Sequence, residues 1–109
     1  AFDADVLRLY VAHGFHPSPE GVRLKCDPEH EARTFDTGGS HTTWGHLTEI
    51  ETPVVVLAGK VDEFGPAAIA REISEQLPNA TYIERDDWNH FTPFIDPAAM
   101  AAVIAATTH

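Results

Sequence analysis

The sequence has little cysteine, few basic side chains and no long apolar run, and each shortage removes a class of protein. A single cysteine, Cys26, cannot form a disulfide within the chain. Only 7 lysines and arginines oppose 17 aspartates and glutamates, and the resulting net charge of −10 repels phosphate backbones and anionic lipids. No apolar run approaches the ~18–20 residues that a membrane span requires. We therefore predict no nucleic-acid partner and no membrane association.

The lone cysteine and the first residue bear on the origin of the chain. Cys26 lies in an alternating run, and we interpret it as a packed small hydrophobic residue rather than a nucleophile. The absence of an intrachain disulfide is compatible with a reducing compartment, and we predict a cytoplasmic protein. No signal peptide opens the chain, and Ala1 is not an initiator methionine. We expect residue 1 to be a cut, a processing site or the start of a domain excerpt.

What remains is the composition of an ordinary globular domain, with 43% apolar and 22% charged residues in 109. The sequence pattern of the first half is less regular than that of the second. A helix is expected from Asp3 or Asp5 to Gly14, a turn-rich connector over residues 16–21, an extended arm over 22–26 and a helix from Pro28 to Phe35. Residues 37–40 then interrupt the chain.

The second half is more regular. The β-branched run at 54–58 is typical of a strand buried on both faces of a parallel sheet. A helix is expected from Pro66 to Leu77, a second strand over 80–83 and a last helix entered at Asp96-Pro97. Strand, helix, strand and helix predict an α/β fold with a parallel crossover. Because two strands leave both sheet edges open, the rest of that sheet must come from elsewhere.

Polar side chains follow both predicted strands. Asp62 and Glu63 come after the first, and Asp86, Asp87, Asn89 and His90 come after the second. Because parallel strands end at one rim, we expect Asp62 and His90 to lie side by side, with the carboxylate bonded to Nδ1 of the ring. Such a pair orients the imidazole and stabilises its protonated form, which a nucleophile-activating triad requires.

Structural roles compete with this interpretation. Asp62 could cap the approach to the following helix, and His90 could be a solvated loop histidine. Histidine pairs at 13 and 16 and at 41 and 46 suggest metal ligands only weakly, and we predict no metal and no cofactor. Trp44 is assigned to packing. Packing is also favoured for four further aromatic side chains that could instead line the acyl pocket, namely Trp88, Phe64, Phe91 and Phe94.

From Pro53 onward the chain resembles the C-terminal end of the α/β-hydrolase superfamily. The resemblance rests on an apolar strand running into Gly59-Lys60-Val61-Asp62, then on Leu77-Pro78-Asn79-Ala80, Asn89-His90-Phe91 and the stretch 93–97. It implies a mostly parallel sheet with crossover helices over residues 51–109, preceded at 1–50 by the end of a helical cap and its return to the sheet. It also implies that Asp62 and His90 are the acid and base of a catalytic triad.

The resemblance has two departures. Asn89 replaces the glycine that usually precedes the histidine, and no G-x-S-x-G nucleophile elbow is present. The resemblance therefore implies a nucleophile on an upstream segment, an ester or related small-molecule substrate, and no activity of this chain alone. A homo-oligomer, a non-catalytic binding or scaffold module and a complementing fragment remain open, and the sequence preceding Ala1 would separate them.

Overall fold

The computed structural model describes residues 1–40, 42–61 and 65–107. Of these residues, 54% are helical and 19% are in strands, so the predicted mixture of helix and strand is confirmed. The chain divides into two compact units, Ala1–Thr42 and Thr43–His109. Each unit is described by itself below, and the expected division of the chain into cap and core at residue 50 stays a prediction.

The first unit begins with helix α1, Ala4–Gly14, which Asp3 caps by accepting hydrogen bonds from the backbone N–H groups of Asp5 and Val6. Strands β1, Phe15–Ser18, and β2, Gly21–Leu24, then form an antiparallel hairpin. Helix α2, Pro28–Thr37, and a 3-10 helix, Gly38–Ser40, complete the unit.

The prediction of a connector at residues 16–21 is wrong for its first half, because His16, Pro17 and Ser18 belong to β1. Prolines argue against central strands, but the edge strand of a two-stranded hairpin tolerates Pro17. The start of α2 is confirmed in detail, with Pro28 in its first turn and the Asp27 carboxylate accepting from Glu29 N at 2.9 Å.

None of the described residues of the first unit is buried. Val22 is 71% exposed and Phe35 is 81% exposed. Cys26 is exposed as well, so its assignment as a packed hydrophobic residue is wrong. The unit is therefore held by its helix caps and its hairpin ladder rather than by a core.

The second unit contains the parallel sheet. A 3-10 helix, Thr43–Glu49, leads to strand β3, Val54–Gly59, followed by helix α3, Ala67–Gln76, and strand β4, Ala80–Arg85. Helices α4, Thr92–Ile95, and α5, Pro97–Thr107, close the chain. Val54 lies opposite Ala80 and Gly59 opposite Arg85, so the predicted parallel pairing of β3 with β4 is confirmed.

Hydrogen bonds fasten β3 at its amino end. The side-chain amide of Asn79, in the turn between α3 and β4, donates to the Glu51 carbonyl at 2.6 Å. The Asn79 carbonyl in turn accepts from Val54 N at 3.0 Å. These two bonds fix the starts of both strands against each other.

Helix α3 covers one face of the sheet. Arg71 lies over the ring of Tyr82 at 4.5 Å and donates to Glu84 at 3.0 Å. Tyr82 pairs in register with Val56, so this is the face that Val56 presents. On the opposite face Val55 is 38% exposed, and the two-sided burial that the sequence of β3 favours is not reached in the described chain.

The core of the described residues is small. Its apolar members are Ala58, Ala70, Leu77 and Trp88, and no side chain is less than 2% exposed. Trp88 therefore packs as predicted, whereas Trp44, Phe91 and Phe94 are 39%, 51% and 38% exposed, and their assignment to the core is wrong. Helix α5 is apolar around its whole circumference but contains no buried residue. No helix in the described part of the chain is long and apolar enough to cross a membrane.

We predict that the 109 residues alone do not form a stable monomer. Apolar surface is worth ~25 cal/mol per Å², so an uncovered sheet face forfeits several kcal/mol of a typical margin of ~5–15 kcal/mol. Light scattering and thermal melting of the purified chain should show association or aggregation. Val55→Lys should shift the chain towards monomer, whereas Val61→Lys, at an exposed position outside the strand, should not. A monodisperse wild-type monomer with a cooperative melt would contradict this prediction.

Candidate active site

A cleft of about 210 Å³ lies at the carboxyl end of β3. The last residues of β3, the start of α3 and the loop after β4 line it, including Ala58, Ala67, Trp88 and His90. This is the position at which open parallel sheets bind ligands. The structure thus brings the predicted histidine to the rim at which the sequence placed it.

The loop after β4 begins with a tight turn from Arg85 to Trp88, closed by a hydrogen bond from Trp88 N to the Arg85 carbonyl at 3.0 Å. Arg85 donates from Nε and Nη2 to the two carboxylate oxygens of Asp87, each at 3.1 Å. The same guanidinium lies 4.9 Å from the centre of the Trp88 ring. Arg85 therefore links Asp87 and Trp88, the last two residues of the turn, to the end of β4.

A second turn, Asn89 to Thr92, carries His90. Asn89 N donates to Thr92 Oγ1 at 2.8 Å, and Thr92 N donates to the Asn89 carbonyl at 3.0 Å. Phe91 N donates to Asn89 Oδ1 at 2.8 Å. Three hydrogen bonds thus close around His90, whose ring makes an edge-on contact with the Phe91 ring at 5.1 Å.

A direct backbone contact joins this loop to β3. Lys60 N donates to the Trp88 carbonyl at 2.8 Å. A Cβ on Gly59 would lie 2.9 Å from that carbonyl oxygen and 3.2 Å from Asn89 Cα. Only glycine leaves room for this approach, because real Cβ atoms do not come so close to backbone.

Asp62, the predicted acid, lies outside the described residues, as does Glu63. Lys60, two residues before Asp62, and Gly65, the first described residue after it, both line the cleft. Among the described residues no carboxylate is hydrogen-bonded to the His90 ring. The pairing of Asp62 with His90 stays a prediction.

The described residues include a carboxylate–imidazole pair that the sequence did not single out. His46 Nδ1 lies 3.0 Å from Glu49 Oε1 on the 3-10 helix Thr43–Glu49. Both side chains are largely exposed, at 62% and 70%, so the pair is solvated and contributes little to stability. The i,i+3 spacing was the only signal for it.

The described residues contain no group of three histidine, cysteine, aspartate or glutamate side chains arranged to hold a metal ion. Comparisons with protein-family models, with curated proteins and with solved structures found no match for this chain.

We predict that Gly59→Ala separates β3 from the His90 loop. The added Cβ meets backbone atoms of Trp88 and Asn89, which cannot rotate away, so the cost should be about 1–3 kcal/mol. Hydrogen exchange at the Lys60 amide should accelerate, and the thermal midpoint should fall. Gly45→Ala is the matched control, because a Cβ there meets nothing within 4 Å. If the two substitutions changed the Lys60 exchange rate and the thermal midpoint equally, the prediction that this contact holds the loop against β3 would be wrong.

A pH prediction follows from the Arg85–Asp87 pair. The hydrogen bonds from Arg85 lower the pKa of the Asp87 carboxyl below its ordinary value. Because the folded pKa is lowered, the stabilisation is present above the ordinary aspartate pKa and is lost as pH falls through the lowered one. Carboxyl-carbon NMR should show Asp87 titrating at lower pH in the wild type than in Arg85→Gln. Identical titration curves would show that the pair does not hold the turn.

Proposed function

We propose that this chain is the C-terminal part of an α/β-hydrolase, supplying a histidine base and its carboxylate partner to a nucleophile on an upstream segment. The observation that carries the proposal is the backbone contact between the end of β3 and the His90 loop. Through it, the residues leading to Asp62 and the turn that bears His90 meet at one cleft. The resemblance described above supplies the roles.

The chemistry proposed for the intact protein is acyl transfer. A serine hydroxyl attacks the carbonyl carbon of an ester while His90 accepts the hydroxyl proton. His90 then donates that proton to the leaving alcohol, and water hydrolyses the acyl-enzyme by the same route. Asp62 keeps the imidazole in the required tautomer and stabilises its protonated form. No cofactor is needed, and the chain by itself is proposed to be inactive.

Two features of the described site support this division of labour. His90 is exposed at the cleft, so a nucleophile from another segment can reach its ring. The cleft is also lined by small side chains, Ala58, Ala67 and Ala70 among them, which leave space beside the ring for a reacting group.

A non-catalytic binding module is the second candidate. It is the candidate that would hold if the segment upstream of this chain carries no G-x-S-x-G nucleophile elbow. The two candidates differ in whether His90 is needed for turnover of a substrate or serves only to shape a binding site.

The test is turnover of an activated ester by the chain joined to the segment encoded upstream of it. We predict that His90→Ala abolishes turnover and that Asp62→Asn lowers it by roughly two to four orders of magnitude. The loss should appear in kcat more than in KM, because proton transfer belongs to the transition state.

His46→Ala is the control, because His46 also has a carboxylate neighbour but lies on the 3-10 helix Thr43–Glu49 and does not line the cleft. It should leave kcat unchanged. An intact rate for His90→Ala would refute the proposed role and favour the binding module.

A further inference from the structure

Thr92 is the one buried polar side chain among the described residues, at 7% exposure. Its hydroxyl oxygen accepts the hydrogen bond from Asn89 N at 2.8 Å. A buried hydroxyl is costly unless it is hydrogen-bonded, so its presence in a core of alanine, leucine and tryptophan calls for a role. That role lies in the turn that carries His90.

We infer that Asn89 and Thr92 are positioning residues that hold the backbone on both sides of His90 and thereby aim its imidazole into the cleft. The inference rests on the proposed function for its catalytic meaning. Thr92 fixes the Trp88–Asn89 peptide, on the amino side of His90, through the amide of Asn89. Asn89 fixes the peptide after it through the amide of Phe91. Neither residue carries the transferred proton.

The backbone contributes to this placement because the described residues give the ring little packing. His90 is exposed, and among the described residues its ring meets the edge of the Phe91 ring, its neighbour in the chain. A side chain with so little packing takes its direction from its backbone. A misplacement of about 1 Å can cost a general base on the order of 100-fold in rate.

The resembled family usually has a glycine before the histidine, and the hydrogen bond that Asn89 makes gives a reason for an asparagine at this position. Glycine has no side-chain acceptor, whereas Oδ1 of Asn89 lies 2.8 Å from Phe91 N and bridges across His90. The substitution therefore adds a restraint at the position where a glycine would leave the chain free.

The first experiment measures backbone order by amide hydrogen exchange on the whole chain, in the assembly that it forms. Thr92→Val keeps the shape of the side chain but removes the acceptor, and it should accelerate exchange at the Asn89 amide about tenfold. Thr92→Ser should restore the wild-type rate. Asn89→Ala should act on the Phe91 amide instead, and Asn89→Asp should restore it. Thr34→Val, on exposed α2, is the control and should change neither amide.

The second experiment measures ester turnover after joining the upstream segment. Thr92→Val and Asn89→Ala should lower kcat about 10- to 100-fold with KM unchanged, and Thr92→Ser and Asn89→Asp should recover most of the loss. If the two residues had only a structural role, their variants would lower the amount of folded protein, but kcat would not fall separately from KM and the conservative variants would not restore it. Because Asn89 is exposed, its variants test the inference even if Thr92→Val fails to fold.

The two proposals fail in different ways. Unchanged exchange at Asn89 in Thr92→Val and at Phe91 in Asn89→Ala, or unchanged kcat in both variants, would overturn the positioning role. Turnover that survives His90→Ala would overturn the proposed function, whatever the exchange rates show.

Discussion

The hydrogen bond from the Lys60 amide to the Trp88 carbonyl, 2.8 Å long, is the contact on which the arrangement of the cleft depends. It lies one residue beyond the paired end of β3 and three residues beyond that of β4, where the ladder would otherwise stop. Gly59 permits it, because any larger residue would collide with the same carbonyl. The loop after β4 is therefore held against β3 by backbone atoms, and the turn that bears His90 inherits its position from them.

A second constraint is the shortage of covering surface. Helix α3 covers the face of the sheet that carries Tyr82, and two of the four buried apolar residues in the described part of the chain are alanines. Surface contacts such as Arg71 with Glu84 cannot replace the missing burial, since exposed ion pairs are worth roughly 0–1 kcal/mol. The apolar circumference of α5 points the same way, because helices of that composition normally lie inside a larger core. Among its described residues, the second unit therefore leaves much of its apolar surface exposed.

Sequence patterns predicted the elements that have strong local signals. The β-branched run of β3, the four-residue spacing of α3 and the proline starts of α2 and α5 carry their own period or cap, and each lies within a few residues of its expected place. Strand β1 was missed because Pro17 argues for a turn, while its pairing with β2 is a tertiary effect. The sequence did not predict the hydrogen bonds that order the His90 turn, one of which ends on the hydroxyl of the buried Thr92. Burial depends on what packs above a residue, and no spacing in the sequence encodes it.

The hydrogen bonds of Asn79 at the amino ends of β3 and β4 have a mechanical consequence. Asn79 ties the start of β4 to Glu51 and Val54, while Lys60 ties the end of β3 to the loop after β4. Because the two strands run parallel, a force that pulls the start of β3 away from the end of β4 slides one strand along the other. The hydrogen bonds between the strands, together with those of Asn79 and Lys60 at the two ends, then carry the load at the same time instead of opening one after another. A sheet of only two strands thereby resists lengthwise tension better than its small core suggests.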